Sequence, residues 1–118
     1  MFRRFPFALA LAIGLLAAHS ASAMSVRELR TLEKTEKDGD VHALYYLVGA
    51  LEGALEAQAK AVRLGAKPSF CPLERRLEPR MARELFDTEL RRQAELYEAD
   101  MPAPLVLLNA LGTVYPCN

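Results

Sequence analysis

Apolar residues recur at intervals of three and four along four stretches of the chain, separated by short polar or proline-containing turns. Such spacing places apolar side chains on one face of an α-helix. No stretch alternates apolar and polar residues over the length of a strand, and no hairpin-turn sequence is present. The pattern predicts an all-α fold, a small four-helix domain.

The first predicted helix runs from about Val26 to Glu36. Ser25 and Glu28 have the spacing of a capping box, in which each side chain bonds the other residue's backbone N–H. The run 37–40, Lys-Asp-Gly-Asp, ends this helix, and Asp40 is predicted to be the N-cap of the next one. An Asp-Gly-Asp run also occurs in calcium loops, but the remaining ligands of such a loop are absent.

The second predicted helix, Val41 to Leu64, is the long central one. Its main apolar stripe is Val41, Leu44, Val48, Leu51, Leu55 and Val62. A second face is also apolar and rich in small residues: Tyr46, Gly49, Ala50, Gly53, Ala57, Ala61 and Leu64. A helix that is apolar nearly all round is covered on both sides. The small face therefore predicts a close neighbour, either in the same chain or in a second subunit; Tyr46, Gly49, Gly53 and Ala57 are the candidate dimer seam.

A third helix is predicted from Pro79 to about Glu98, and a fourth from about Ala103 to Val114. Apolar residues of the third share one broad face: Ala82, Leu85, Phe86, Leu90, Leu96 and Tyr97. Glu89 and Gln93 interrupt that face, either as long side chains that reach past it to water or as interface contacts. The fourth helix is predicted to bury Leu107, Leu108, Leu111, Val114 and Tyr115.

Residues 1–23 have the pattern of a secretory signal peptide: a basic start, an apolar run, and small residues before the cut. The alternative is an uncleaved membrane anchor, although the apolar run is shorter than the roughly 20 residues of a spanning helix. We expect a periplasmic mature domain of residues 24–118 with no stable membrane insertion. Removing Arg3 and Arg4 leaves 13 basic against 15 acidic residues, a net charge of −2, which argues against a nucleic-acid partner.

The two cysteines, Cys71 and Cys117, are the only ones in the chain. In an exported protein an even pair most simply forms a disulfide. That bridge would close a loop of about 47 residues and contribute about 4 kcal/mol in the chain-entropy model. The alternative is Cys71 as a free nucleophile with His42 as its base.

Catalytic constellations are missing from the sequence. One histidine remains after export, and there is no metal-ligand cluster, phosphate-binding glycine loop or triad serine. We therefore predict a protein that is not an enzyme, without catalytic residues, metal or cofactor.

Several short motifs, taken together, resemble those of a known family. They are Tyr46 and Gly49 on a long helix, Phe70-Cys71-Pro72, and Ala110-Leu111 followed by Tyr115-Pro116-Cys117. The arrangement resembles the Rap/Tai family of immunity proteins over roughly residues 40–117. The resemblance implies a small periplasmic all-helical protein, a homodimer, that binds and blocks a type VI secretion effector, typically a peptidoglycan amidase. The family's cysteine pair corresponds to Cys71 and Cys117.

We choose the candidate residues for contact with such an effector by their expected exposure and charge. They are Arg75 and Arg76 near the disulfide, and Glu98, Asp100 and Met101 in the turn before the fourth helix. Two other functions stay open for a small exported helical domain: a periplasmic acid-stress chaperone, and an envelope adaptor without enzymatic activity.

Overall fold

The computed structural model describes residues 22–72 and 77–118, and this part of the chain folds into four α-helices. They are α1 (Val26–Thr35), α2 (Gly39–Arg63), α3 (Pro79–Arg92) and α4 (Ala103–Val114). The described residues contain no strand, only one isolated bridge between Ser25 and Pro102. The predicted all-α, four-helix fold is confirmed. The signal-peptide prediction falls on residues 1–21, which lie outside the described residues, and on the exposed residues 22 and 23.

The N-terminus of α1 is held by the predicted capping box. The Ser25 hydroxyl accepts a hydrogen bond from the Glu28 N–H at 3.2 Å, and Glu28 Oε2 accepts one from the Ser25 N–H at 2.7 Å. The backbone hydrogen bond from Ser25, helped by its side chain, lowers the pKa of Glu28 below its usual value.

The connection between α1 and α2 is tighter than the sequence pattern suggests, and the prediction of Asp40 as N-cap is wrong. Helix α2 begins at Gly39, after Asp38 in the left-handed conformation at φ 55°. Gly39 lies so close to α1 that a Cβ atom there would overlap the backbone carbonyl oxygen of Leu32. Only glycine permits this approach, and the helix therefore starts two residues earlier than predicted.

Helix α2 is the centre of the fold, because α1, α3 and α4 each pack against it. Its buried line is Gly39, Ala43, Leu47 and Leu51, spaced four residues apart. The predicted stripe is displaced around the helix: Val41 and Val62 are each 43% exposed. Three helices pack against α2, and the positions at which they dock determine which of its faces is buried. Because α2 has two apolar faces, its sequence alone does not indicate which one this is.

Helix α3 ends at Arg92, six residues before its predicted end. A turn over residues 93–96 follows, so Leu96 is not on the apolar face of α3 where it was predicted, and it is exposed. The turn brings Tyr97 back to α3, where its hydroxyl bonds the Glu89 carboxylate. The end of the helix at Arg92 therefore allows Tyr97 to add a second hydrogen-bond partner to Glu89, beside Arg92 of the helix itself.

Helix α4 has the predicted bounds, and Leu107 and Leu111 are buried as expected, whereas Leu108 and Val114 are exposed. The start of α4 is joined to α1 by backbone hydrogen bonds. The Val26 N–H donates to the Met101 carbonyl and the Ala103 N–H to the Met24 carbonyl, both at 2.9 Å. The core is formed by Leu29, Ala43, Leu47, Leu51, Phe70, Ala82, Leu85, Phe86, Ala103, Val106, Leu107, Ala110 and Leu111.

Candidate protein-binding surfaces

The segment before α3 is fixed to the helices by a disulfide and by one side-chain amide. Cys71 and Cys117 form the predicted disulfide, with a Cα–Cα distance of 5.0 Å. Gln58 of α2 accepts from the N–H groups of Ser69 (2.8 Å) and Phe70 (3.1 Å), and its amide donates to the Phe70 carbonyl (2.7 Å). The buried Phe70 ring is thereby held in the core. Because Cys71 is bonded to Cys117, it does not supply the thiolate that the nucleophile alternative needs.

An open groove of about 500 Å³ lies between α2, α4 and this pinned segment. We call it the apolar groove. Its α2 wall consists of Ala50, Gly53, Ala54, Ala57, Gln58 and Ala61. Phe70, Pro104 and Leu108 form much of the rest, and Lys67 is the one charged residue in the lining. The small α2 residues leave a shallow wall that a second helix could approach closely.

The candidate dimer seam lies along the same side of α2. Gly49, Gly53 and Ala57 are exposed. Apart from the adjoining residues and the backbone of α2 itself, no atom of the described chain lies within 4 Å of where a Cβ of either glycine would be. A same-chain neighbour, the first alternative for this face, is therefore not found at the two glycines among the described residues. Tyr46 has a structural contact instead, because its half-buried hydroxyl accepts from the Met24 N–H at 3.0 Å.

The turn that carries Glu98, Asp100 and Met101 is tied to the start of α1. The Ala99 carbonyl accepts from the Arg27 N–H at 2.9 Å, and Asp100 pairs with the Arg27 guanidinium at 2.5 Å. Both side chains of this ion pair remain mostly exposed. The structure thus groups these three candidates on one rigid turn. Arg75 and Arg76, the other two candidates, lie outside the described residues.

A second groove, of about 540 Å³, lies between α3 and α4. We call it the acidic groove, because Glu89, 2% exposed, is the only charged residue in its lining. Glu89 Oε1 accepts from the Tyr97 hydroxyl at 2.7 Å and Oε2 from Arg92 at 3.0 Å. Asn109 of α4 donates to the Tyr97 oxygen at 3.0 Å. Burial, together with the bond to Glu89, raises the pKa of Tyr97 above its usual value.

In the sequence, Glu89 interrupts an apolar face, and it was interpreted either as a side chain that reaches water or as an interface contact. The prediction that it extends past the apolar surface to water is wrong for this side chain, because burial in the fold gives it hydrogen-bond partners from α3 and from the turn after it. A lone carboxylate in an apolar helical face is the pattern that could have found this groove.

A network of charges between α1 and α3 was not anticipated. Arg30 bonds Glu33 at 3.1 Å and Asp87 at 3.0 Å, and Arg83 also bonds Glu33. The Arg30 guanidinium lies 5.4 Å from the centre of the Phe86 ring. Partial burial acts to raise the pKa of Glu33, but the hydrogen bonds from Arg83 and Arg30 outweigh it, and the pKa lies below its usual value.

The described part of the chain has neither a metal-binding cluster nor a membrane-spanning helix. No group of three or more potential metal-binding side chains occurs there. None of the four helices combines the length and apolarity that crossing a bilayer requires.

Comparisons with known proteins found no matching family model, no matching curated protein and no matching solved structure. The resemblance described above therefore rests on its short motifs and their spacing.

Proposed function

We propose that this protein is a periplasmic immunity protein that binds a type VI secretion effector and blocks its active site, the effector being a peptidoglycan amidase. The supporting observation for a binding function is the exposed apolar surface of the apolar groove, which includes Leu108 of α4. Contiguous apolar surface of this kind is typical of protein–protein contacts. The identity of the partner comes from the motif resemblance.

A rigid frame suits inhibition by binding. The disulfide and the Gln58 amide hold residues 69–71 in place, and backbone hydrogen bonds join the start of α4 to α1. Binding through these segments then costs little ordering, which favours high affinity. This mechanism requires no reacting group in the protein.

We propose that the effector contacts the turn that carries Glu98, Asp100 and Met101, with Arg75 and Arg76 as further contacts. The ion pair between Asp100 and Arg27 offers a matched test. Asp100→Asn and Arg27→Gln both break this exposed pair, which contributes at most about 1 kcal/mol to stability, but only the first removes the candidate contact. If Asp100 binds the effector, Asp100→Asn weakens inhibition and Arg27→Gln leaves it unchanged; equal effects would refute the contact.

The experiment for the function itself uses the exported protein as bait against the products of neighbouring genes. We expect a partner whose cleavage of peptidoglycan is inhibited at stoichiometric amounts of this protein. A partner whose amidase activity is unaffected would refute the immunity proposal. Absence of a partner, combined with protection of client proteins from aggregation in acid, would favour a chaperone instead.

We propose further that the protein is a homodimer in which the small face of α2 meets the same face of a second copy. This contact would cover the α2 wall of the apolar groove, so in the dimer the effector is bound through the turn at Glu98, Asp100 and Met101 and not through that wall. The exposed polar strip beside this face is acidic in its first half, Glu52 and Glu56, and basic in its second, Lys60 and Arg63. An antiparallel pair centred near Ala57 places the acidic half of each helix opposite the basic half of the other. A parallel pair would instead align like charges, which is destabilising.

The dimer is tested with Gly53→Leu, because a Cβ at this position meets no neighbouring part of the described monomer, whereas a leucine side chain would collide with a second helix packed on this face. We expect analytical ultracentrifugation to give a dimer for the native chain and a folded monomer for Gly53→Leu. Thr31→Leu adds the same side chain at an exposed position of α1 and should remain dimeric. A native chain that is monomeric at high concentration would refute the dimer.

A further inference from the structure

The acidic groove has properties that packing alone does not require. Glu89 is the only buried charged side chain among the described residues. Burying a carboxylate is costly unless it is well compensated. Its one cationic partner, Arg92, is 42% exposed and reaches only Oε2.

The hydrogen bonds that Glu89 makes leave it able to accept more. A carboxylate has about four acceptor positions, and the fold uses two, one from the Tyr97 hydroxyl and one from Arg92. Asn109 donates to the Tyr97 oxygen, which directs the tyrosine proton toward Glu89. The carboxylate is thus held in position with acceptor capacity remaining.

The rest of the lining suits a side chain with an apolar stem and a polar end. Phe70, Leu96 and Leu108 supply apolar surface, while Gln93, Asn109 and Thr113 supply neutral polar groups. Binding sites commonly combine apolar walls with a few placed polar groups. Glu89 is the only charged residue of the lining, and its salt-bridge partner Arg92 lies outside the lining and bonds only Oε2. A cation in the groove could therefore bond the same carboxylate.

We propose that the acidic groove binds a basic side chain, arginine or lysine, of a partner protein, with Glu89 as the residue that bonds its charged end. The groove shares Ser69, Phe70 and Leu108 with the apolar groove. A partner that places an apolar segment in the apolar groove therefore has its neighbouring side chains within reach of Glu89. This site does not depend on the immunity proposal, because it can be probed with a small cation.

The test uses N-acetyl-arginine amide as the probe and N-acetyl-citrulline amide, its neutral isostere, as the control ligand. Each is titrated into ¹⁵N-labelled, oxidised protein purified after expression of the full chain. We expect the arginine probe to shift the backbone amide signals of Gln93, Gly112 and Thr113, and the citrulline probe to bind at least about tenfold more weakly. Equal binding of both probes, or shifts confined to other surfaces, would overturn the proposal.

Two variants connect binding to the carboxylate. Glu89→Gln keeps the shape and should weaken binding of the arginine probe about tenfold or more, as loss of one charge-assisted hydrogen bond predicts. Glu84→Gln removes an exposed carboxylate from the same helix and should bind like the native protein. If Glu89 only stabilises the fold, a folded Glu89→Gln variant binds the probe normally, which would refute the site.

A third variant leaves Glu89 in place, in case its replacement prevents folding. Gly112 lines the groove, and a Cβ there would make only an ordinary contact, 3.9 Å from the Ser69 carbonyl oxygen. Gly112→Lys introduces a cation that competes for Glu89, and we expect it to abolish binding of the arginine probe. Binding that survives in this variant would argue against the proposed position of the ligand.

Discussion

The Gln58 side chain is predicted to be the main noncovalent connection between α2 and the segment that contains Phe70. Its amide makes three hydrogen bonds, with lengths of 2.7, 2.8 and 3.1 Å, to the backbone of Ser69 and Phe70. Gln58→Ala removes all three and leaves the helix intact, because alanine is the best helix former. The change therefore isolates the contribution of these bonds.

The loss in the free energy of unfolding depends on how well water can replace each of the three hydrogen bonds. A neutral hydrogen bond contributes about 1 kcal/mol net, and a buried group left without a partner costs about 1–3 kcal/mol. Ser69 is exposed and can be solvated, whereas Phe70 is 2% exposed and its backbone groups are partly shielded. We expect Gln58→Ala to lower the free energy of unfolding by about 2 kcal/mol. In a domain of this size that lowers Tm by roughly 8–16 °C.

The assay is urea denaturation of the oxidised protein, followed by circular dichroism. Gln93→Ala, which replaces an exposed glutamine, is the control and should change the free energy of unfolding by less than about 0.5 kcal/mol. A Gln58→Ala variant as stable as this control would refute the reasoning.

Three further predictions concern other parts of the fold. Reducing the Cys71–Cys117 disulfide should lower the free energy of unfolding by about 4 kcal/mol; an unchanged urea midpoint in reductant would contradict this. The pKa of Glu33 is lowered in the folded state, so its contribution to the free energy of unfolding is present above its unfolded pKa, about 4.3, and is lost as pH falls. Glu33→Gln should therefore flatten the acid side of the curve of stability against pH. An unaltered curve would argue against the ion-pair network. Gly39→Ala should destabilise by about 1–3 kcal/mol because its Cβ overlaps α1, and thermal unfolding that matches the native protein would refute this packing.

One of the candidate surfaces could be predicted from local sequence, and the other could not. Gly49 and Gly53 of the candidate dimer seam could be proposed from the sequence because small residues four apart form a continuous face on any helix. The Glu89 site could not be assigned in the same way. Its partners Tyr97 and Asn109 come from the turn after α3 and from α4, and only folding brings them to the carboxylate.

Local spacing was enough to predict the helical class, the capping box at Ser25 and the bounds of α4. The pairing of Cys71 with Cys117 was predicted from the expected export and from there being only two cysteines. The tertiary structure decided which side of α2 is buried, where α3 ends, and that Glu89 is enclosed. These features depend on where neighbouring helices dock. A helix with two apolar faces can bury either one, and the packing of the other helices determines which face is buried.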